Sequence, residues 1–151
     1  RNSYISSSNR WLMIEVNIRK KKFNPQKIIK LIEKEKNYGA LVSFIGSVRE
    51  NTKDGKINKL FIEHYERMAN KVIYETALVA KDKWGLDYCY ITHRYGTLSV
   101  GEPIVMVVTC SKHRKEAYQA NQYIIDWLKV NAPFWKKEIS DSESRWVEQS
   151  I

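Results

Sequence analysis

The sequence predicts an α+β fold, and three observations carry that expectation. Hydrophobic residues recur with period 2 in some segments and with helical spacing in others. The two kinds of segment mix without the strict strand-helix-strand alternation of a doubly wound sheet. The 151 residues, 43% hydrophobic and 28% charged, make one ordinary globular domain's worth of chain, with no internal repeat and no linker. The expected organisation is a disordered tail over 1–10 and a single domain over 11–151.

From Trp11 to Lys20 the chain alternates through Leu12, Ile14, Val16 and Ile18, the pattern of a half-buried strand. Asn24-Pro25 then supplies a cap and a proline at the first helical position. Ile28, Ile29, Leu31 and Ile32 recur at helical spacing, which predicts a short helix reaching Asn37. Gly39 to Val48 and Ile57 to Glu66 read as apolar strands, joined by a polar stretch from Arg49 to Lys56 whose Asp54-Gly55 pair favours a hairpin turn. A second helix is expected from Arg67 to Trp84, stopped by Gly85. Leu86 to Tyr95 and Pro103 to Cys110 read as strands around a turn region containing Gly96 and Gly101. A third, longer helix runs from Lys112 to Asn131, where Pro133 restricts its predecessor and ends it; Phe134 to Ile139 and Arg145 to Val147 close the fold as strands.

Composition narrows the function. Twenty-six Lys and Arg against 17 Asp and Glu leave a formal charge of +9, a field that attracts phosphates, nucleic acid, acidic proteins or anionic membranes. Cys89 and Cys110 are the only cysteines, too few for a disulfide scaffold and not spaced for a metal site, so a reducing compartment is expected and no metal. No apolar run approaches the roughly 18 to 20 residues that span a bilayer. The Ser- and Asn-rich opening from Arg1 to Arg10 lacks acidic residues, and an intact targeting signal is not expected there.

The third helix and its exit hold the first group of candidate residues. Ala117, Ala120, Ile124 and Leu128 form its buried stripe, which puts Lys129 on the flank, half-desolvated. A lysine so placed can work as acid, base or amine nucleophile, or it can simply snorkel. Lys136 follows just beyond Pro133. At the other end of the helix, His113-Arg114 adds an imidazole and a guanidinium to a terminus that already favours anions, so it reads either as a phosphate or carboxylate site or as a solvated first turn. Arg49 carries the same two readings. His93-Arg94 and His64 read as structural, His64 as a hydrogen-bonded core residue. Cys110 reads as a buried structural thiol, although a helix dipole follows it. Phe134, Trp135 and Trp146 sit at strand spacing and read as core, with base stacking as the alternative.

Several blocks, taken in order, resemble the large, catalytic subunit family of molybdopterin synthase. They are Gly39-Ala40-Leu41-Val42-Ser43-Phe44-Ile45-Gly46-Ser47-Val48-Arg49, Glu63-His64-Tyr65 with Met68, and His93-Arg94-Tyr95-Gly96-Thr97-Leu98 with Gly101-Glu102. Ser111-Lys112-His113-Arg114, Pro133-Phe134-Trp135-Lys136-Lys137-Glu138 and a closing Arg145-Trp146 follow, and the resemblance as a whole covers roughly Leu12 to Gln149. The resemblance implies an α/β-hammerhead type of α+β fold, with a mixed or antiparallel sheet and about three helices. It also implies a homodimer flanked by two small ubiquitin-like subunits, each offering a C-terminal Gly-Gly thiocarboxylate.

The implied reaction moves two sulfurs onto cyclic pyranopterin monophosphate to form the dithiolene of molybdopterin, with no cofactor and in the cytoplasm. Sulfur arriving on a partner removes the need for a cysteine, while the phosphate and the thiocarboxylate both call for cations. By motif position Lys129 and Lys136 are the implied catalytic residues, and Arg49, His113 and Arg114 the implied substrate-binding ones. On this reading the arginines and His113 hold the phosphate, Lys136 orients or polarises the thiocarboxylate, and Lys129 assists proton transfer or forms a transient covalent link. Neither nucleic acid nor membrane is an expected partner. Two other readings of the residues are a small basic RNA-binding module and a Schiff-base lyase acting on a free carbonyl compound.

Overall fold

A computed structural model describes residues 2–6 and 13–147. In chain order its elements are β1 (Asn2–Ser6), β2 (Met13–Arg19), α1 (Pro25–Ile32), β3 (Ala40–Ser47), β4 (Asn51–Thr52), β5 (Gly55–Lys56) and β6 (Lys59–His64). There follow α2 (Glu66–Trp84), β7 (Tyr88–Arg94), β8 (Gly96–Ser99), β9 (Pro103–Ser111), α3 (Arg114–Asn131), β10 (Phe134–Ile139) and β11 (Ser144–Val147). Five strands form one sheet in the order β1-β2-β7-β9-β3, and four form a second in the order β11-β10-β6-β8. Among the described residues only β2 and β7 run parallel; the other pairings are antiparallel. Among the described residues, three helices with a mixed five-stranded sheet, an antiparallel four-stranded sheet and a two-stranded β4-β5 ribbon match the expected α+β class.

The five-stranded sheet is covered on both faces, which explains why every residue of β7 is buried. Along β7, Cys89 and Ile91 face one core with Ile14, Val16, Ile18 and Val107, while Tyr88 and Tyr90 face another with Met106, Val108 and Cys110. The first core is closed by Ala69, Ile73, Ala77 and Ala80 of α2 and by Ala120 and Ile124 of α3. The second is closed by Phe23 and by Ile32 of α1. Each buried aliphatic side chain contributes on the order of 1.5–3 kcal/mol. Polar anchors fix the rotation of α3 on the sheet. Thr109 Oγ1 donates to the Ala117 carbonyl at 2.7 Å, and Asn121 Nδ2 donates to the carbonyls of Val42 at 3.1 Å and Val107 at 3.0 Å.

Several local expectations hold. Asn24 caps α1, its side chain accepting from the amides of Gln26 and Lys27. Gly85 ends α2 with φ of 61°, in the left-handed region where glycine is unstrained. Ala132, just before Pro133, is extended and stops α3.

Other boundaries move. Helix α1 ends at Ile32 and not near Asn37, because past the buried Ile32 the chain offers only the charged run Glu33 to Lys36 and nothing apolar to bury. The Asp54-Gly55 turn exists, but it closes the small β4-β5 ribbon; β3 and β6 diverge into different sheets. The stretch expected to be only a turn around Gly96 contains β8, which pairs antiparallel with β6. Within the expected tail 1–10, Asn2–Ser6 is strand β1 on the free edge of β2, an edge whose backbone groups need partners; Arg1 and residues 7–10 lie outside the described residues, as do Trp11 and Leu12 of the first expected strand.

Candidate active site

Helix α3 delivers the chain to β10 through only Ala132 and Pro133, and that short junction builds one wall of a cavity of about 520 Å³. Its lining includes His93 of β7, Leu128 and Lys129 of α3, Phe134 and Lys136 of β10, and Val147 of β11. Strand alternation sets Phe134 and Lys136 on the same face of β10 and Trp135 on the other. Phe134 is buried and stacks flat on the His93 ring, with centroids 3.8 Å apart and planes 8° apart. Lys136 lies across from Ile62 of β6 and Val147 of β11, and it is half-buried.

The two lysines are therefore not equivalent, and the expectation of a half-desolvated Lys129 fails. Lys129 is exposed, because it lies off the Ala117, Ala120 and Ile124 stripe, and Lys136 is the one with restricted access to water. Burial holds the Lys136 amine below its ordinary pKa, and the neighbouring positive charge of Lys129 pushes it in the same direction. Such an amine is more readily available as a free base than a solvated lysine.

The remaining predicted residues fall at two ends of the molecule. His113 occupies the N-cap of α3 with extended backbone and makes no side-chain capping bond; both it and Arg114 are exposed. Sixteen residues of helix separate His113 from Lys129, about 24 Å at 1.5 Å per residue, so one chain does not bring them together. Arg49 is exposed just past the end of β3. Since β3 pairs antiparallel with β9, with Ala40 opposite Ser111, Arg49 lies at the far end of the sheet from His113, the end toward which α3 runs. The topology thus groups Arg49 with the lysines and leaves His113 and Arg114 apart.

The cysteines are ruled out as ready nucleophiles. Cys89 and Cys110 are fully buried, and burial pushes both thiols up to about 12. Arg94 is structural as expected, donating to the Lys20 carbonyl at 2.9 Å and pairing with Glu102 at 3.2 Å. Glu102 also accepts from the Ser99 amide at 2.7 Å and meets Lys22 at 2.7 Å; the Lys22 bond, foremost, holds its carboxyl down at about 2. The Gly101-Glu102 block therefore serves the β8–β9 turn. His64 is half-buried and packs by its ring, 4.2 Å from Tyr95 and 5.9 Å from Phe134. Its Nε2 has no hydrogen-bond partner among the described residues, unlike the bonded core histidine expected. Of the tail aromatics only Phe134 is core; Trp135 and Trp146 are exposed.

Sequence reasoning read His93 as structural and did not place it in the cavity lining. Its place in an apolar strand suggested only a structural role, because the signal that would reveal it is Phe134, distant in sequence, docking on its ring from the other sheet. No group of His, Cys, Asp and Glu among the described residues is arranged to hold a metal ion, and no helix of the described chain is long and apolar enough to cross a membrane.

An α+β domain that sets two lysines, one of them half-buried, in one cavity at a helix-to-strand junction belongs to the class of proteins with a cationic pocket suited to anions. The chain belongs to the MoaE protein family, whose model matches residues 18–131. It is 37% identical over 135 residues to the molybdopterin synthase catalytic subunit of Pasteurella multocida, covering 89% of this chain and 90% of that one. The Bacillus subtilis catalytic subunit is 40% identical over 130 residues, covering 86% and 82%. Among solved structures, molybdopterin synthase from Staphylococcus aureus superposes with a TM-score of 0.80 at 35% identity, over 87% of this chain and 96% of that one. A complex of subunits 1 and 2 of the molybdopterin-converting factor from Helicobacter pylori matches with a TM-score of 0.76 at 25% identity, over 89% and 90%.

Proposed function

We propose that this chain catalyses sulfur transfer from the C-terminal thiocarboxylate of a small ubiquitin-like subunit to cyclic pyranopterin monophosphate, forming the dithiolene of molybdopterin in the cytoplasm. The observation that carries the reading is the cavity at the α3–β10 junction, where Lys129 and Lys136 meet in a chain whose relatives are molybdopterin synthase catalytic subunits. The chemistry fits the side chains. A thiocarboxylate and a phosphate are both anions, and an ammonium beside each lowers the cost of bringing them together.

Lys136, half-buried with a depressed pKa, is the amine that exchanges protons with the reacting groups or forms a transient covalent link. Lys129, exposed, supplies positive charge to the incoming carboxyl terminus. This exchanges the roles that motif position alone implies, and the reason is burial. Arg49, at the same end of the sheet but outside the cavity lining, adds positive charge from beyond β3. His113 and Arg114 reach the same substrate from a second copy of the chain, because a two-fold axis is the simplest arrangement that sets one α3 start against another α3 end. The assembly is then a homodimer carrying two small subunits.

The RNA-binding alternative loses one of its three stacking rings, since Phe134 is buried against His93. The deciding experiment incubates the protein with thiocarboxylated small subunit and cyclic pyranopterin monophosphate and looks for dithiolene. Product is the expected result. Absence of product when both partners are bound would overturn the proposal.

A further inference from the structure

The ion pairs at Glu102 do more than close a turn. Ser99 to Glu102 folds back through a 3.1 Å bond from the Glu102 amide to the Ser99 carbonyl, and Gly101, with φ of 87°, supplies the left-handed third residue that such a turn requires. Local chemistry therefore closes it unaided. The Glu102 carboxylate nonetheless gathers three partners: the Ser99 amide, the Arg94 guanidinium of β7 and the Lys22 amine from the segment between β2 and α1. The Arg94 and Glu102 side chains are 7% and 16% exposed, and taking both charges out of water costs about as much as the pair returns. What a satisfied polar network adds is one fixed arrangement, here of the turn against the central strand β7.

The turn passes that arrangement to the end of β3. Past the irregularity at Gly46 and Ser47, the contact between β3 and β9 continues through two backbone bonds: Val48 donates to the Glu102 carbonyl at 2.9 Å, and Gly101 donates to the Val48 carbonyl at 2.8 Å. Both polar groups of the Val48 backbone are thus held by the turn that the carboxylate anchors, and the Val48 side chain is buried. Arg49 comes next and is exposed; on its other side the Glu50 carbonyl accepts from the Ile57 amide at 2.9 Å. We propose that Glu102 is a positioning residue for Arg49: by fixing the turn on β7 it fixes Val48, and so sets the point from which the Arg49 guanidinium reaches the substrate phosphate. The inference rests on the reading of Arg49 as a substrate-binding residue and is independent of the roles given to the two lysines.

The energetics say why an anchor is needed. An arginine is a long side chain, and ordering it on an anion costs conformational entropy. A backbone that also wandered would add to that cost, whereas one pinned on both sides leaves only the side chain to order. Glu102 is suited to the task because its carboxylate, held low by Lys22 foremost, stays ionised through the physiological range and keeps its three partners throughout. Loosening this anchor should weaken the hold on substrate and leave the chemical step alone, since Arg49 lies outside the lining of the cavity that Lys129 and Lys136 share.

The test reads two quantities in Glu102→Ala, which removes the carboxylate, and in Glu102→Gln, which keeps an oxygen for the Ser99 amide and Arg94. The first is hydrogen exchange at the Val48 and Gly101 amides, in the protein alone. Exchange should quicken by about tenfold in the Ala variant and return toward the parent in the Gln variant. The second is steady-state turnover with thiocarboxylated small subunit at varied cyclic pyranopterin monophosphate. KM should rise on the order of tenfold in Glu102→Ala with kcat little changed. In an Arg49→Ala background the same truncation should change KM by less than about twofold, because the residue it acts through is gone. Adding Arg94→Met to Glu102→Ala removes the buried guanidinium too, and carries the same measurements if the single variant does not fold. Unchanged exchange at Val48 overturns the proposal. So does a KM penalty as large without Arg49 as with it, which would make Glu102 a general support of the fold. Because exchange needs no substrate, a chain that holds Val48 in this way yet forms no dithiolene counts against the sulfur-transfer reading alone.

Discussion

Replacing Gly39 by alanine should damage this protein at a distance from its lysines. Gly39 precedes β3 and donates its amide to the Ser111 carbonyl at 2.9 Å, so it lies against the chain where β9 turns toward α3. A Cβ built on Gly39 would stand 3.2 Å from the Lys112 carbonyl carbon and nearer still to its oxygen. Ordinary contact between such atoms is about 3.5–4.0 Å, so the Lys112 peptide must retreat by roughly 1 Å. It is backbone, and no rotamer change relieves it. Overpacking of this kind costs about 1–3 kcal/mol. The peptide that moves leads directly into His113 and Arg114; with these two holding substrate as proposed, a misplacement of about 1 Å costs on the order of 10²-fold in rate. Urea unfolding measures the first effect as a lower midpoint at unchanged m-value, and steady-state turnover measures the second. A Gly39→Ala protein with the parent's urea midpoint and the parent's kcat/KM would refute the reasoning.

Lys129→Ala and Lys136→Ala should each nearly abolish dithiolene formation while leaving thermal unfolding close to the parent, whereas Lys137→Ala should be mild; full turnover in both of the first two would remove the lysines from the mechanism. Cys89→Ala and Cys110→Ser should keep their activity, checked in folded, partner-binding protein, since both thiols are buried and held protonated. Mixed dimers of a Lys129→Ala/Lys136→Ala chain with a His113→Ala/Arg114→Ala chain should regain activity, because one pocket then carries both defects and the other none; a site contained in one chain would regain nothing. Finally, His93 has a folded pKa of about 3 against an ordinary 6.5, so the unfolded chain binds a proton there that the folded chain refuses. Stability from this residue is complete above pH 6.5 and is lost as pH falls toward 3, with a slope of at most about 1.4 kcal/mol per pH unit. Urea titrations over that interval should show a shallower acid decline in His93→Gln than in the parent.

Much of the fold was legible because local rules governed it. The alternation of Ile14, Val16 and Ile18, the Asn24 cap, the Gly85 stop and the restriction that Pro133 places on Ala132 each needed only a few neighbouring residues. What was not legible depended on pairing across the chain. Nothing local to Gly96–Ser99 announces that β6 will take it as a strand, and Asp54-Gly55 signals a turn without saying which strands it joins. The same division runs through the site. The lysines, Arg49 and the His113-Arg114 pair were chosen by chemistry and motif, but helical spacing alone put Lys129 in the less solvated position. Lys136 takes that position because β6 and β11 flank it, and His93 enters the site because Phe134 of a different sheet covers it.

The two-residue passage from α3 to β10 makes spacing itself a functional property of this chain. Side chains on β10 point alternately to opposite sides, so one added residue between Asn131 and Phe134 that shifts the register of β10 by one would turn Phe134 and Lys136 off the face they now share. His93 would lose its stacking partner in the same event. The ribbon around Asp54-Gly55, exposed at its tip and meeting Arg145 there through Asp54 at 3.8 Å, carries no alternation of faces that an added residue would reverse. Length variation among functional versions of this domain should therefore collect at the ribbon and spare the junction, where an insertion changes no residue yet replaces the site.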